Sequence, residues 1–172
     1  VETVQSRHPS LLPREFLQEL RTVTEETGIV YIFDEVVTGF RAHPRGIQGL
    51  FGIDADLASY GKVVGGGFSI GVIAGKRAYM DALDGGHWDY GDDSVPTVGV
   101  TYFAGTFVRH PLAMAACKAA LLHLKEQGPT LQSSLTARTT AMANEMNSFA
   151  RSTGAPLEIR HFASLWRVTF TE

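Results

Sequence analysis

Cysteine is almost absent from this chain: Cys117 stands alone among 172 residues, so no disulfide can form within the chain. An excess of charge of either sign is also missing, because the formal net charge is only −3, and we therefore expect neither nucleic acid nor an anionic membrane as a partner. No apolar run approaches the roughly 18 residues of a membrane-spanning helix, and the first residues lack the order of a signal peptide. These absences indicate a soluble, cytoplasmic protein.

Metal and nucleotide motifs are missing too. The six histidines stand singly, without metal-ligand spacing to one another or to Cys117, which argues against a metal site. Ile70 occupies the place where a dinucleotide fingerprint needs its third glycine, and residues 71–77 are one residue short of a phosphate-binding loop. Asp92 and Asp93 are adjacent in a polar stretch, where a solvated loop is favoured over a paired-carboxylate site.

The first 128 residues alternate between helical and strand patterns. Apolar spacing predicts a helix from Pro13 to Thr27 that stops at Gly28. The unbroken apolar run that follows, residues 29–33, is typical of a strand covered on both faces and predicts a parallel sheet. Further strands are predicted at residues 56–60 and 70–74, with a short helix at 76–83. The fold class is therefore α/β, with a mostly parallel sheet.

The composition shifts near Gly128. Before it, residues 111–127 form an Ala/Leu-rich helical pattern that begins at a proline, and after it a second long helix fits residues 130–152. Residues 157–162 and 165–170 alternate in the manner of half-exposed strands. We place a domain boundary here, with residues 1–128 in one domain and 129–172 in the next. Because the chain starts at Val1 without methionine, we expect it to be a piece of a longer protein.

Two polar residues stand at predicted strand ends. Asp34 closes the first strand, and Lys62 follows the next strand immediately before a run of three glycines at residues 65–67. Open α/β sheets present their chemistry at the carboxyl ends of strands, so an acid and an amine at two such ends predict a site for an electrophilic cofactor. The glycines either leave space around the lysine or form a plain turn.

Three strings in order carry a family resemblance: IFDEVVTGFR at residues 32–41, SYGKVVGGG at 59–67 and AGTFVRHP at 104–111. The chain resembles the class III pyridoxal-phosphate aminotransferases, most closely the glutamate-1-semialdehyde aminomutase branch. Within that branch, GHWDYGDD at 86–93 and TYFAGTFVRH at 101–110 resemble aminotransferase domains embedded in peptide and polyketide synthetases. RHFASL at 160–165 resembles the start of the family's small C-terminal domain.

The resemblance implies fold type I, with this chain forming the second half of the large domain and the beginning of the small α+β domain. It implies that Lys62 carries pyridoxal 5'-phosphate as a Schiff base and later moves a proton, while Asp34 faces the pyridine nitrogen. Val36 would pack on one ring face, and Thr106 would bind the phosphate of the neighbouring subunit's cofactor in a homodimer. Val37 departs from the pattern, since many members have glutamine there, near the ring hydroxyl.

The function implied is transfer of an amino group from an amino acid donor to a ketone or aldehyde acceptor, including a β-keto intermediate bound to an acyl carrier protein. Two alternatives stay open. One is an intramolecular aminomutase of the glutamate-1-semialdehyde type. The other is a non-catalytic dimerisation fragment, because the family's main phosphate-binding loop belongs to the half that precedes Val1. Arg41, Arg45 and Arg109 are candidates for a substrate carboxylate, with plain surface arginines as the favoured interpretation.

Overall fold

The computed structural model describes residues 1–86, 88–89, 91–97, 99 and 104–171. Positions 87, 90 and 101–103, which carry part of the resemblance to synthetase domains, lie outside this set. The elements along the chain are α1 (Arg14–Thr27), β1 (Ile32–Glu35), α2 (Gly46–Phe51), β2 (Leu57–Tyr60), a 3-10 helix (Lys62–Gly65), β3 (Val72–Gly75), α3 (Arg77–Asp84), α4 (Pro111–Gln127), α5 (Pro129–Thr153), β4 (Leu157–Phe162) and β5 (Leu165–Phe170).

The end of α1 determines where the first strand begins. Gly28 adopts a left-handed conformation with φ of 67°, as a glycine after a helix commonly does. The N–H of Ile29 then donates to the carbonyl of Thr24 at 2.9 Å, so the start of the apolar run closes the helix instead of entering the sheet. The predicted strand at residues 29–33 is therefore wrong at its start, and β1 begins at Ile32.

The first sheet has the order β1-β2-β3 and is mixed. β1 and β2 run parallel, with Asp34 opposite Ser59, which confirms the parallel expectation for this pair. β3 is antiparallel to β2, so the expectation is wrong for β3. The link between β2 and β3 contains only a short 3-10 helix, whereas a parallel return needs a longer crossover, usually an α-helix.

The core covers one face of this sheet. Phe33 of β1 and Ala58 of β2 are buried together with Leu17 of α1 and Ile47 of α2, so both helices pack on the same face. The opposite face of β1 is open in this chain: Ile32 is 47% exposed. Coverage of β1 on both faces is therefore not observed here, and burial alternates along the strand with the period of two that one covered face produces.

Asp56, just before β2, connects three other segments: α1, the residue that precedes β1 and the residue that follows β3. Its carboxylate accepts hydrogen bonds from Arg21 of α1 at 3.0 Å, from the N–H of Tyr31 at 2.8 Å and from Lys76 before α3 at 2.7 Å. Burial alone would raise the pKa of Asp56, but these hydrogen bonds and the positive charge of Arg21 outweigh it and bring the pKa to about 2. The charged form of Asp56 thus stabilises the junction.

The second half of the chain consists of two long helices and a hairpin. Gly128, with φ of 60°, separates α4 from α5, and β4 pairs with β5 in antiparallel register, which confirms these four predicted elements. The amide of Asn147 in α5 bonds the backbone N–H and carbonyl of Ile159 in β4. None of the helices in the described part of the chain has the length and apolar character needed to cross a membrane. The domain boundary at 128/129 stays a prediction.

Candidate active site

Asp34 lies near the carboxyl end of β1, on the exposed face of the strand. Its Oδ1 accepts a hydrogen bond from the N–H of Val36 at 3.0 Å and one from the hydroxyl of Ser59 on β2 at 3.4 Å. On the other side of β1, the N–H of Asp34 donates to the carbonyl of Val1 at 2.8 Å, and Glu2 pairs with Asp34 in a parallel bridge. The carboxylate is therefore held in place by its own strand and by β2, and the backbone also by the first residues.

Lys62 stands just beyond the carboxyl end of the neighbouring strand, β2. It begins the 3-10 helix and has φ of 47°, a left-handed conformation that non-glycine residues rarely adopt and that clusters at functional sites. The side chain is exposed. Within the residues that the structure describes, its ammonium makes no hydrogen bond and no ion pair. The amine is thus presented to the surface with no partner among the described residues.

Val36 and Lys62 line the same depression, which has a volume of about 610 Å³. The other lining residues are Arg41, Val63, Gly67, Phe68, Ser69 and Ile70. Gly61, the residue before Lys62, lets the chain pass close to Val36, since a Cβ placed on Gly61 would be 3.2 Å from a methyl carbon of Val36. The structure therefore brings Val36 to Lys62, with Asp34 two residues before Val36 on the adjoining strand.

The glycines after Lys62 form a turn, which is one of the two roles that the sequence left open. Gly66 and Gly67 have φ of 57° and 99°, so they form a turn that other residues adopt only with strain. Gly66 also lies against α4, where an added Cβ would be 3.1 Å from the carbonyl oxygen of Ala116. The run thus turns the chain after Lys62 and lets α4 approach closely.

Thr106 is exposed in the segment before α4 and does not line the Lys62 depression. It lines a cavity of about 810 Å³ together with residues of β3 and α4, among them the buried Cys117. Ser69 and Ile70 border both spaces. The structure therefore places Thr106 in a space that adjoins the Lys62 depression, apart from Lys62 itself.

Glu35, next to Asp34, has a different environment. It is fully buried and accepts hydrogen bonds from the N–H groups of Ile47 and Gln48 in the first turn of α2 and from the hydroxyl of Thr38. Burial raises the pKa of Glu35, although these hydrogen bonds act against the shift. Gly46 leaves room for the carboxylate, because a Cβ there would come within 2.3 Å of it. Glu35 thus attaches α2 to β1, a contact that sequence reasoning missed together with α2.

The three candidate arginines, Arg41, Arg45 and Arg109, lie at different places on the structure. Arg45 is exposed and pairs with Asp54 at 2.8 Å, as a surface arginine does. Arg109 lines the Thr106 cavity. Arg41 lines the Lys62 depression, and its Nε donates to the carbonyl of Val37 at 2.7 Å. Burial lowers the pKa of Arg41. Of the three, only Arg41 lines the Lys62 depression, which the sequence pattern did not distinguish.

Comparison with known proteins identifies the family. The family model described as aminotransferase class III matches residues 1–171, so the chain belongs to the class III aminotransferases, as the three strings indicated. A glutamate-1-semialdehyde 2,1-aminomutase from Pyrobaculum calidifontis is 39% identical over 171 residues, which are 99% of this chain and 36% of that protein. The chain therefore spans about a third of the length of this relative.

Solved structures agree with the fold. A β-phenylalanine aminotransferase from Variovorax paradoxus is 29% identical, with a TM-score of 0.75 over 100% of this chain and 37% of that one. A transaminase with PLP bound is 27% identical, with a TM-score of 0.73 over 90% of this chain and 34% of that one. The predicted α/β architecture of fold type I is thereby confirmed.

Proposed function

We propose that the protein carrying this chain is a pyridoxal 5'-phosphate enzyme that transfers an amino group from an amino acid donor to a ketone or aldehyde acceptor. The observation that carries the proposal is the placement of Asp34 and Lys62 at the carboxyl ends of adjacent parallel strands. Val36, which follows Asp34 by two residues, lines the same depression as Lys62. Membership in the class III aminotransferases supports the cofactor and the class of reaction.

The residues present fit this cofactor. Oδ1 of Asp34 is occupied by Val36 and Ser59, whereas Oδ2 accepts no hydrogen bond within the described residues, so Oδ2 is left for a protonated ring nitrogen. A carboxylate within about 4–6 Å of that nitrogen favours its protonated form. The methyl groups of Val36 suit an apolar ring face. When bound, the cofactor supplies an electron sink for the carbanion formed at the substrate carbon.

Lys62 has two tasks in the proposal. Its amine would hold the cofactor at the aldehyde carbon, with loss of water, until the amine of the substrate takes its place. Once free, the amine of Lys62 would take the proton from the substrate carbon and deliver it to the cofactor carbon, which is general acid–base catalysis by one positioned group. Both tasks need an amine without a competing partner, as Lys62 has among the described residues.

Thr106 and the domain boundary complete the proposal. A hydroxyl preceded by Gly105 suits a phosphate, and Thr106 lines a cavity that adjoins the Lys62 depression without lining the depression itself. This placement supports binding of the phosphate of a neighbouring subunit's cofactor, and hence a homodimer. We assign residues 1–128 to the large domain and 129–172 to the small domain.

Two candidate functions differ in the molecule that accepts the amino group. A β-keto or aldehyde intermediate on an acyl carrier protein, as in peptide or polyketide synthesis, is our first candidate, on the basis of residues 86–93 and 101–110. The second is a 2,1-aminomutase that returns the amine to the same substrate, and the 39% identity to a protein of that name supports it. Incubation with a separate amino donor and keto acceptor distinguishes them, because only a transaminase yields a new amine and a new keto acid.

The attachment of the cofactor to Lys62 is tested by reduction. Full-length protein incubated with pyridoxal 5'-phosphate and then with borohydride should carry the cofactor mass on the peptide containing Lys62. Lys76 is the internal control, because its ammonium is paired with Asp56 at 2.7 Å. An unlabelled Lys62 peptide would contradict the proposed function, and the absence of any cofactor binding by the full-length protein would favour the dimerisation fragment.

Replacing Arg41 with glutamine is expected to weaken binding of the amino donor. Its terminal guanidinium nitrogens have no hydrogen-bond partner among the described residues, and Arg41 lines the same depression as Lys62, so these nitrogens suit the carboxylate of the donor. Loss of one such charged hydrogen bond, about 1.5–3 kcal/mol, should raise KM for an amino acid donor by about 10- to 100-fold. The KM for the corresponding decarboxylated amine and the kinetics of an Arg45→Gln control should stay unchanged. Equal effects on both donors would contradict this role.

A further inference from the structure

A second depression, of about 500 Å³, lies between residues 7–11 and the β4–β5 hairpin. The residues that line it are mostly cationic or hydroxyl-bearing: Arg7, His8, Ser10, Leu11, Arg160, Arg167 and Thr169. None of them lines the Lys62 depression or the Thr106 cavity. Its chemistry is therefore independent of the proposed function.

The hairpin places two arginines directly opposite each other. Arg160 of β4 and Arg167 of β5 are partners in the antiparallel register, so both side chains stand on the same face of the hairpin. Thr169 is two residues beyond Arg167 and shares that face. Like charges directly opposite in a sheet are destabilising. A ligand that carries negative charge would relieve this repulsion.

The third arginine is connected to this pair through the backbone. Nη1 of Arg167 donates to the carbonyl oxygen of Arg7 at 3.0 Å, which holds the segment of Arg7 against the hairpin. Ser10 then brings a hydroxyl to the same depression. The donors thus come from two distant parts of the sequence, which only the fold assembles.

Within the described residues, carboxylates neutralise only part of the charge of these arginines. Arg160 pairs with Glu158 at 2.7 Å, but within the described residues no carboxylate pairs with Arg7 or Arg167. One carboxylate is thus paired among the three arginines that line the depression, although the whole chain has a net charge of −3. The depression is a local positive site on a mildly acidic protein.

We propose that the depression between Arg7, Arg160 and Arg167 binds a phosphate group. Guanidinium groups present planar pairs of N–H donors that match phosphate oxygens, and Ser10 and Thr169 add hydroxyl donors for the remaining oxygens. The phosphate belongs either to the free inorganic ion or to a phosphate monoester.

The test is a titration of the full-length, cofactor-loaded protein at constant ionic strength, followed by ³¹P NMR and calorimetry. The probes are inorganic phosphate and methyl phosphate, the smallest phosphate monoester. We expect saturable binding of at least one probe. The double variant Arg7→Gln, Arg167→Gln should bind at least about tenfold more weakly, because two of the three charged donors to the phosphate are removed. Tighter binding of methyl phosphate assigns the site to esters, and tighter binding of inorganic phosphate assigns it to the free ion.

Two controls keep the test decisive. Arg138→Gln removes the same charge from an exposed position on α5 and should leave the affinity unchanged. Arg167→Lys retains the charge and should lose less affinity than the double variant, while circular dichroism confirms that every variant is folded. No saturable binding of either probe, or equal affinity of the wild type and the folded double variant, would overturn the proposal.

Discussion

Alanine in place of Lys62 is expected to abolish amino-group transfer, with kcat reduced by at least about 10,000-fold, the upper end of what a positioned acid–base group contributes. The loss should exceed this value because the same amine also holds the cofactor. Absorbance of the full-length variant after addition of pyridoxal 5'-phosphate should match that of the free aldehyde, and single-turnover kinetics should show no product amine.

Two further variants test whether the loss of activity is specific to the amine of Lys62. Arginine retains the positive charge, yet its guanidinium stays protonated and can neither bond to an aldehyde nor move a proton, so Lys62→Arg should be as inactive as the alanine variant. Lys125→Ala removes an exposed lysine near the end of α4 and should leave kcat unchanged. Activity of Lys62→Ala within tenfold of the wild type would refute both the role of Lys62 and the reaction assigned to the site.

The second large effect concerns stability. Replacing Asp56 with alanine should lower the free energy of unfolding by about 3–5 kcal/mol, the range found when one partner of a buried ion pair is removed. The side chain of Arg21 is only 13% exposed and would keep, among the described residues, only the exposed Glu25 as a carboxylate partner. The buried N–H of Tyr31 would lose its acceptor. Denaturant unfolding of the full-length protein at neutral pH measures the change.

The pH dependence of this loss follows from the lowered pKa of Asp56. With a folded pKa of about 2 and an unfolded pKa near 3.9, the stabilisation by Asp56 is fully present above the unfolded value. It is lost as the pH falls through the folded value. The difference between wild type and Asp56→Ala should therefore be constant from neutral pH to about pH 5 and shrink toward pH 2.

Asp54 provides the matched control two residues away. Its pair with Arg45 is exposed on both sides, at 73% and 67%, and such surface pairs contribute about 0–1 kcal/mol. Asp54→Ala should therefore change the free energy of unfolding by less than about 1 kcal/mol. If Asp54→Ala and Asp56→Ala destabilise equally, the stabilising role assigned to the buried carboxylate is wrong.

Local signals predicted the long elements well. Proline at the start and glycine after the end predicted α4 with the observed bounds, because these residues act through their own backbone conformation. The apolar runs before Asp34 and Lys62 predicted that both residues stand at strand ends, and the bounds of β1 and β2 bear this out. Such signals depend on neighbours in the chain, so the sequence alone contains them.

The predictions from the sequence were wrong where contacts with residues distant in the chain determine the local structure. Ile29 has the apolar character of a strand residue, yet its N–H closes α1. α2 was missed because its first turn is held by the carboxylate of Glu35, more than ten residues earlier. The antiparallel direction of β3 and the open face of β1 likewise depend on how the chain returns and on what packs against it.

The amino-acid sequence by itself determined the family, the α/β class and the identity of the lysine and aspartate proposed for the cofactor. Only the tertiary structure selected Arg41 as the arginine that lines the Lys62 depression and placed Thr106 in an adjoining cavity. It alone brought Arg7 to the arginines of the hairpin. Motifs report covalent order and local conformation, whereas these arrangements arise from packing and hydrogen bonds between segments far apart in the chain.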